Sequence, residues 1–105
     1  MPENKNALTE AVFYILLCLV KPNHGYGIIK KTEAMTSDRL TLGAGTLYGA
    51  LNTLAGKGWI MAHSGAVSDR KKEYVITEFG KAVLKQELKR LNELVQNGNA
   101  VMDEG

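Results

Sequence analysis

A single cysteine in 105 residues rules out an internal disulfide framework and leaves too few thiolates for a structural zinc site. Cys18 lies inside an apolar run, as a small buried hydrophobe would. Only two histidines accompany it, His24 and His63, far apart in the chain. With no neighbouring ligand set or nucleophile, they compose neither a metal site nor a catalytic triad. No phosphate-binding loop occurs, because the glycines of "GAGTLYG" lack a following lysine and a preceding strand. The expectation is a protein without metal, cofactor or enzymatic activity. Long apolar runs are missing too. The longest, "AVFYILLCLV", is half of what a bilayer crossing requires. "MPENKNALTE" shows no basic-then-apolar leader pattern, so a cytoplasmic location is expected.

What is present is ordinary in bulk and uneven in arrangement. Hydrophobic residues make up 45% and charged residues 23%, enough for one domain with a modest core. The net charge of +2 decides nothing about partners. Residues 8–20 read as a first helix, started near Thr9 or Asn6, apolar almost all round and therefore central. "KPNHG" reads as a short loop. "YGIIKKTEAM" reads as a second helix with Tyr26, Ile28, Ile29 and Met35 as a partial apolar stripe, and "TSDRLTLG" as a turn. A third helix runs from about 44 to 57, stopped by Gly58. "WIMAHSG" and "KEYVITE" have strand composition around the basic turn "AVSDRKK". From Thr77 the period is helical again, and Leu84, Leu88, Leu91 and Val95 follow a four-three-four spacing that Leu94 widens. The tail "NGNAVMDEG" reads as frayed. His24 is expected to cap a helix or pack, and Tyr26 and Trp59 to lie in the core. The order predicts a mainly α fold with a small β-hairpin (α+β). It is a winged helix-turn-helix over residues 1–77 plus a C-terminal dimerisation helix and tail over residues 78–105, forming one compact unit.

The third helix carries the functional signal. At 100° per residue, Leu47, Leu51, Leu54 and Gly58 cluster within about 60° as a core face. Opposite them stand Gly45, Gly49, Asn52 and Gly56, with Tyr48 on one flank and Thr46, Thr53 and Lys57 on the other. A solvated face would carry Glu and Lys, because an interior glycine costs a helix about 1 kcal/mol relative to alanine. A face this bare lets another body approach the backbone. The major groove of DNA admits one helix, and phosphates favour a helix N-terminus with open amides. Thr46 and Tyr48 offer hydroxyls to phosphates, Asn52 can pair with a base edge, adenine by preference, and Lys57 can add a phosphate contact. A merely permissive surface, with Gly43 as a plain N-cap and Gly56 and Gly58 ending the helix, is the other reading. Charge supports the first. Residues 43–77 hold four bases (Lys57, Arg70, Lys71, Lys72) against two acids (Asp69, Glu73), whereas the last helix and tail are slightly acidic. A basic wing tip would lie on the phosphate backbone.

Three motifs, "HGYGI" (24–28), "GTLYGALNTLAGKGWI" (45–60) and "RKKEYVITEFG" (70–80), resemble the short members of the PadR family of bacterial transcriptional regulators. Together with the apolar first helix they cover almost the whole chain. The resemblance implies a winged-helix domain, a final helix that pairs two subunits, and repression of nearby genes until an effector arrives, with a small-molecule effector among the candidates. A two-fold homodimer would then read double-stranded DNA at a near-palindromic operator. The resemblance assigns DNA contacts to Thr46, Tyr48, Arg70 and Lys71. Combined with the wheel, the expected DNA-binding set is Gly45, Thr46, Tyr48, Gly49, Asn52, Thr53, Lys57, Arg70, Lys71 and Lys72. The expected subunit contact is Phe13, Leu84, Leu88, Leu91, Leu94 and Val95. The chain departs from the family pattern at Gly49, where proline is common, and at Lys71 and Glu73, where Arg and Tyr are usual. No aromatic follows Phe79, which argues against a flat ligand stacked on the last helix. An effector cavity would be lined by Phe13, Tyr14, Leu84, Leu88 and Leu91, residues that can equally fill a dimer core. The competing function is a winged-helix protein-interaction module without DNA binding.

Overall fold

Thr9 opens the first helix: its side chain accepts the Val12 N–H at 3.1 Å, an N-cap that satisfies one of the donors a helix leaves free. In the computed structural model, which describes residues 7–63 and 72–104, this helix is α1, Glu10–Cys18. The elements that follow are β1 (Asn23–His24), α2 (Gly25–Met35), α3 (Ala44–Gly56), β2 (Ile60–His63), β3 (Glu73–Ile76) and α4 (Glu78–Glu104). The mainly α architecture with a small antiparallel sheet is as expected.

The core forms where the inner faces of these elements meet. Ile15, Leu16 and Leu19 meet Ile28 of α2, Leu47, Leu51 and Leu54 of α3, and Ile60 and Ile76 of the sheet, all essentially buried. Cys18 is buried as expected, its sulfur 3.6 Å from the Thr32 hydroxyl, and burial pushes its thiol above the ordinary range. Trp59 is buried as expected.

Thr77 ties the sheet to α4. Its N–H donates to the Trp59 carbonyl at 2.9 Å, and its hydroxyl donates to the Gly58 carbonyl at 2.6 Å and accepts the Gly80 N–H at 3.0 Å. Gly80 is forced by this junction, because a Cβ there would overlap the Trp59 carbonyl oxygen and sit 2.8 Å from Ile76 Cγ1. The expected place of Gly58 is the core face of the third helix. It instead lies exposed just past that helix at φ +78°, the left-handed residue that ends it, so the wheel does not extend to it.

Four further expectations need correction. "KPNHG" is not only a loop: Asn23 and His24 pair with Tyr74 and Glu73, giving a three-stranded sheet of order β1-β3-β2. Tyr26 is 64% exposed rather than in the core, because it stands opposite Ile28 and Thr32 on α2. Met35 is 43% exposed at the end of that helix, where the packing contact runs out. The tail is helical through Glu104. From residue 92 onward every side chain of α4 is exposed, so the helix, about 40 Å long, extends well beyond the body that holds its first half.

Candidate nucleic-acid interface

α3 has an undecorated N-terminus. Gly43 is the N-cap with no side-chain hydrogen bond, its carbonyl accepts the Leu47 N–H at 2.9 Å, and no acidic residue stands in the first turn. The first-turn amides are therefore unclaimed by side chains, and the helix dipole adds partial positive charge there. The wheel separates as the spacing requires. Leu47 and Leu51 are fully buried, while Gly45, Gly49, Asn52 and Gly56 are exposed. A Cβ placed on Gly45, Gly49 or Gly56 would meet nothing within 4 Å. These glycines thus answer no packing demand among the described residues.

Thr46, Thr53 and Lys57 lie exposed along the same side. The Lys57 ammonium stands 4.8 Å above the Trp59 ring, which holds it at the C-terminal end of the helix. Tyr48 is 45% exposed and leans back so that its phenol lies against Gly25, where a Cβ would overlap the hydroxyl. Gly25 therefore lets a tyrosine from α3 reach the start of α2. Tyr26 stands there too, with the Lys30 ammonium 5.6 Å from its ring. Sequence reasoning misses Tyr26 as a surface residue beside this face. The signal exists, since a wheel drawn on α2 puts it opposite Ile28. His24 caps α2, its Nδ1 accepting the Gly27 N–H at 3.1 Å, as one of its two expected roles.

The wing is rooted by β2 and β3, in register from Ile60↔Ile76 to His63↔Glu73. Lys72 is exposed, its ammonium 5.5 Å from the Tyr74 ring. Arg70 and Lys71, expected at the wing tip, lie outside the described residues.

The residues expected at a subunit contact divide into three groups by burial. Leu84 is buried within the single chain. Phe13 and Leu91 are half-buried, and Phe13 meets Tyr14 edge-to-face at 5.6 Å between centroids. Leu88, Leu94 and Val95 are exposed, and the helical tail adds Val101 and Met102 to them. Between α1 and α4 lies a cavity of about 290 Å³ lined by Leu8, Glu10, Phe13, Tyr14, Glu87, Arg90 and Leu91. Of the residues expected around an effector cavity, Phe13, Tyr14 and Leu91 line it, whereas Leu84 and Leu88 do not. Glu87 is buried and gripped by Arg90 through bonds of 2.8 and 2.7 Å, and it accepts the Leu8 N–H at 3.3 Å. The Arg90 bonds hold its carboxyl below the usual range against the opposing effect of burial, and the Leu8 amide adds to them. Among the described residues no cluster of three His, Cys, Asp or Glu is placed to hold a metal. No helix among them is long and apolar enough to cross a membrane.

Three helices around one core, a bare third helix facing outward and a hairpin beside it define a winged-helix DNA-binding fold. The chain belongs to the family described as the transcriptional regulator PadR-like family, whose model matches residues 15–86. Among solved structures it is similar to a transcriptional regulator from Clostridium thermocellum, with 26% identity, a TM-score of 0.75 and coverage of 86% of this chain and 87% of that one. A PadR family transcription regulator from Clostridium difficile R20291 matches with 24% identity and a TM-score of 0.72 over 90% of this chain and 99% of that one, which shows the shared fold. A transcriptional regulator from Thermoplasma acidophilum matches with 26% identity and a TM-score of 0.67, covering 89% of this chain and 90% of that one. A search of curated protein sequences finds no match.

Proposed function

We propose that the chain is a homodimeric, sequence-specific repressor that presses α3 into the major groove of a near-palindromic operator. The observation that carries this reading is the outward face of α3, where Gly45, Gly49 and Gly56 have open space around them while the opposite face buries three leucines. On that face Asn52 reads a base edge. Thr46, Tyr48, Thr53, Lys57 and Lys72, with Arg70 and Lys71 of the wing, contact phosphates. Tyr26 and Lys30 extend the phosphate-facing surface to the start of α2.

Self-association is supported by the far half of α4. A helical stretch of that length, exposed on all sides, is marginal alone in water, and its leucine and valine stripe needs a partner helix. A two-fold pair of such chains would set its recognition helices about 34–36 Å apart, one turn of DNA. The cavity between α1 and α4 is where a small-molecule effector would act, since its walls belong to the elements that carry the subunit contact. The chain would then do its work in the cytoplasm, without catalytic chemistry of its own.

Selection from random-sequence DNA followed by footprinting tests the proposal. Two inverted half-sites centred about 10 base pairs apart are the expected outcome. Enrichment of a single unrepeated site would refute the dimeric arrangement, and no enrichment at all would refute sequence-specific binding.

A further inference from the structure

The turn that joins α2 to α3 is built from residues that disfavour its shape. Ser37 and Asp38, at φ 51° and 65°, are the two non-glycine positions with positive φ among the described residues, and they are consecutive. α2 ends there in a Schellman cap: the Asp38 N–H donates to the Glu33 carbonyl at 2.8 Å and the Ser37 N–H to the Ala34 carbonyl at 3.4 Å. Ser37 holds the position that this motif usually gives to glycine, because a Cβ crowds the left-handed backbone. Both side chains are exposed, so burial does not hold the backbone in that form.

The next residue supplies a distant anchor. Arg39 reaches 29 positions back to the first residue of α1, and its guanidinium grips both carboxylate oxygens of Glu10, with Nη1 3.2 Å from Oε1. Those bonds hold the Glu10 carboxyl below the ordinary range, against the opposing effect of burial. Tyr14, one helical turn along α1, stands beside the same guanidinium. A two-point pair of planar groups fixes direction as well as distance. On the near side, the Thr36 hydroxyl donates to the Thr32 carbonyl at 2.9 Å and accepts the Leu40 N–H at 3.1 Å, which stitches the turn to α2. Beyond it, the buried Leu42 leads into Gly43, the N-cap of α3.

The angle at which α3 leaves this turn decides how its bare face meets a duplex. We infer that Glu10 is a positioning residue for the recognition helix: through Arg39 it holds the turn over 36–43 in its left-handed form and so sets the pose of α3. The inference rests on the DNA-binding reading given above. The same carboxylate lines the cavity between α1 and α4, so the clamp also joins that cavity to α3. Plain charge gives the opposite sign for its loss. Glu10 is an anion, and neutralising it should help a polyanion bind, whereas the clamp requires that it hinder.

Glu10→Gln keeps the shape of the side chain and removes its charge. In the full chain it should weaken binding to the selected operator by about threefold, within what an exposed two-point pair supplies, while binding to a scrambled duplex should not weaken. Ser37→Gly relieves the left-handed position and should restore operator affinity in the Glu10→Gln background. Amide hydrogen exchange reads the turn with no DNA present. The Asp38 N–H should exchange about threefold faster in Glu10→Gln and in Arg39→Gln, and no faster again in the double variant, since both act through one contact. Unchanged or tighter operator binding by Glu10→Gln, or no recovery with Ser37→Gly, would overturn the inference and leave the DNA-binding reading intact. Unchanged exchange at Asp38, or additive effects in the double variant, would overturn it as well. Absence of sequence-specific binding by the parent chain would overturn the DNA-binding reading and the inference with it.

Discussion

Gly49 can be made to separate stability from function. It lies in the interior of α3, exposed, with nothing within 4 Å of the position a methyl group would take. Alanine there removes the conformational cost of glycine, a gain of about 1 kcal/mol, which for a domain of this size raises Tm by about 4–8 °C. In a groove-bound complex the same methyl must displace close-packed atoms, which costs about 1–3 kcal/mol, or about 5- to 150-fold in affinity. Gly49→Glu keeps most of the helical gain and sets a carboxylate among phosphates. At an effective dielectric near 20 a single such contact at 4 Å costs about 4 kcal/mol, so binding should fall below detection. Thermal melts followed by circular dichroism, and anisotropy titrations with the selected operator, give the two readings side by side. Both variants should melt higher than the parent while binding worse, in the order parent, alanine, glutamate. Undiminished affinity in Gly49→Glu would refute the idea that this face enters the groove. A lowered Tm in Gly49→Ala would refute the claim that the space around it is open.

Three further predictions concern other parts of the molecule. Asn52→Ala should cost about 1–3 kcal/mol on the preferred operator and relax selectivity at one base position per half-site, as read by repeated random-sequence selection. Gly80→Ala should destabilise the fold by about 2–3 kcal/mol, measured by urea denaturation, because its methyl would collide with the Trp59 carbonyl, and backbone cannot swing aside as a side chain can. Glu87 has its carboxyl held low by Arg90 and the Leu8 amide, so its stabilising contribution is present above the unfolded carboxylate range and lost as pH falls through the folded value. Glu87→Gln should therefore be less stable than the parent by about 1 kcal/mol at pH 7, a modest figure because Arg90 is a third exposed. The gap should begin to shrink as pH falls into the ordinary carboxylate range, at about pH 4, and close further into acid. A gap that persists in acid would assign the effect to packing instead.

The inward and outward sides of α3 are legible from spacing alone. Residues three and four apart share a helix face whatever surrounds the helix, so Leu47, Leu51 and Leu54 must turn together and Gly45, Gly49 and Asn52 must face away from them. Thr9 as a cap and Cys18 as a buried hydrophobe are equally local matters. The pairing of Asn23 and His24 with β3 is not. Two residues carry no period, and their partners lie some fifty positions along the chain, so only the closed tertiary structure brings them together. The place of β3 between β1 and β2 depends on that same closure. Tyr26 shows an intermediate case: composition suggests core, whereas a wheel drawn on α2 sets it opposite Ile28 and Thr32, which are buried. The tail of α4 reads as frayed because its asparagines and Gly98 are poor helix formers, whereas in the structure the helix runs on past them to Glu104. Periodicity thus determined which side of the recognition helix is bare, because that depends on the geometry of one helix. Which strands meet, and how far the chain covers Phe13, Leu84 and Leu91, depended on contacts between distant segments, and these only the folded chain decides.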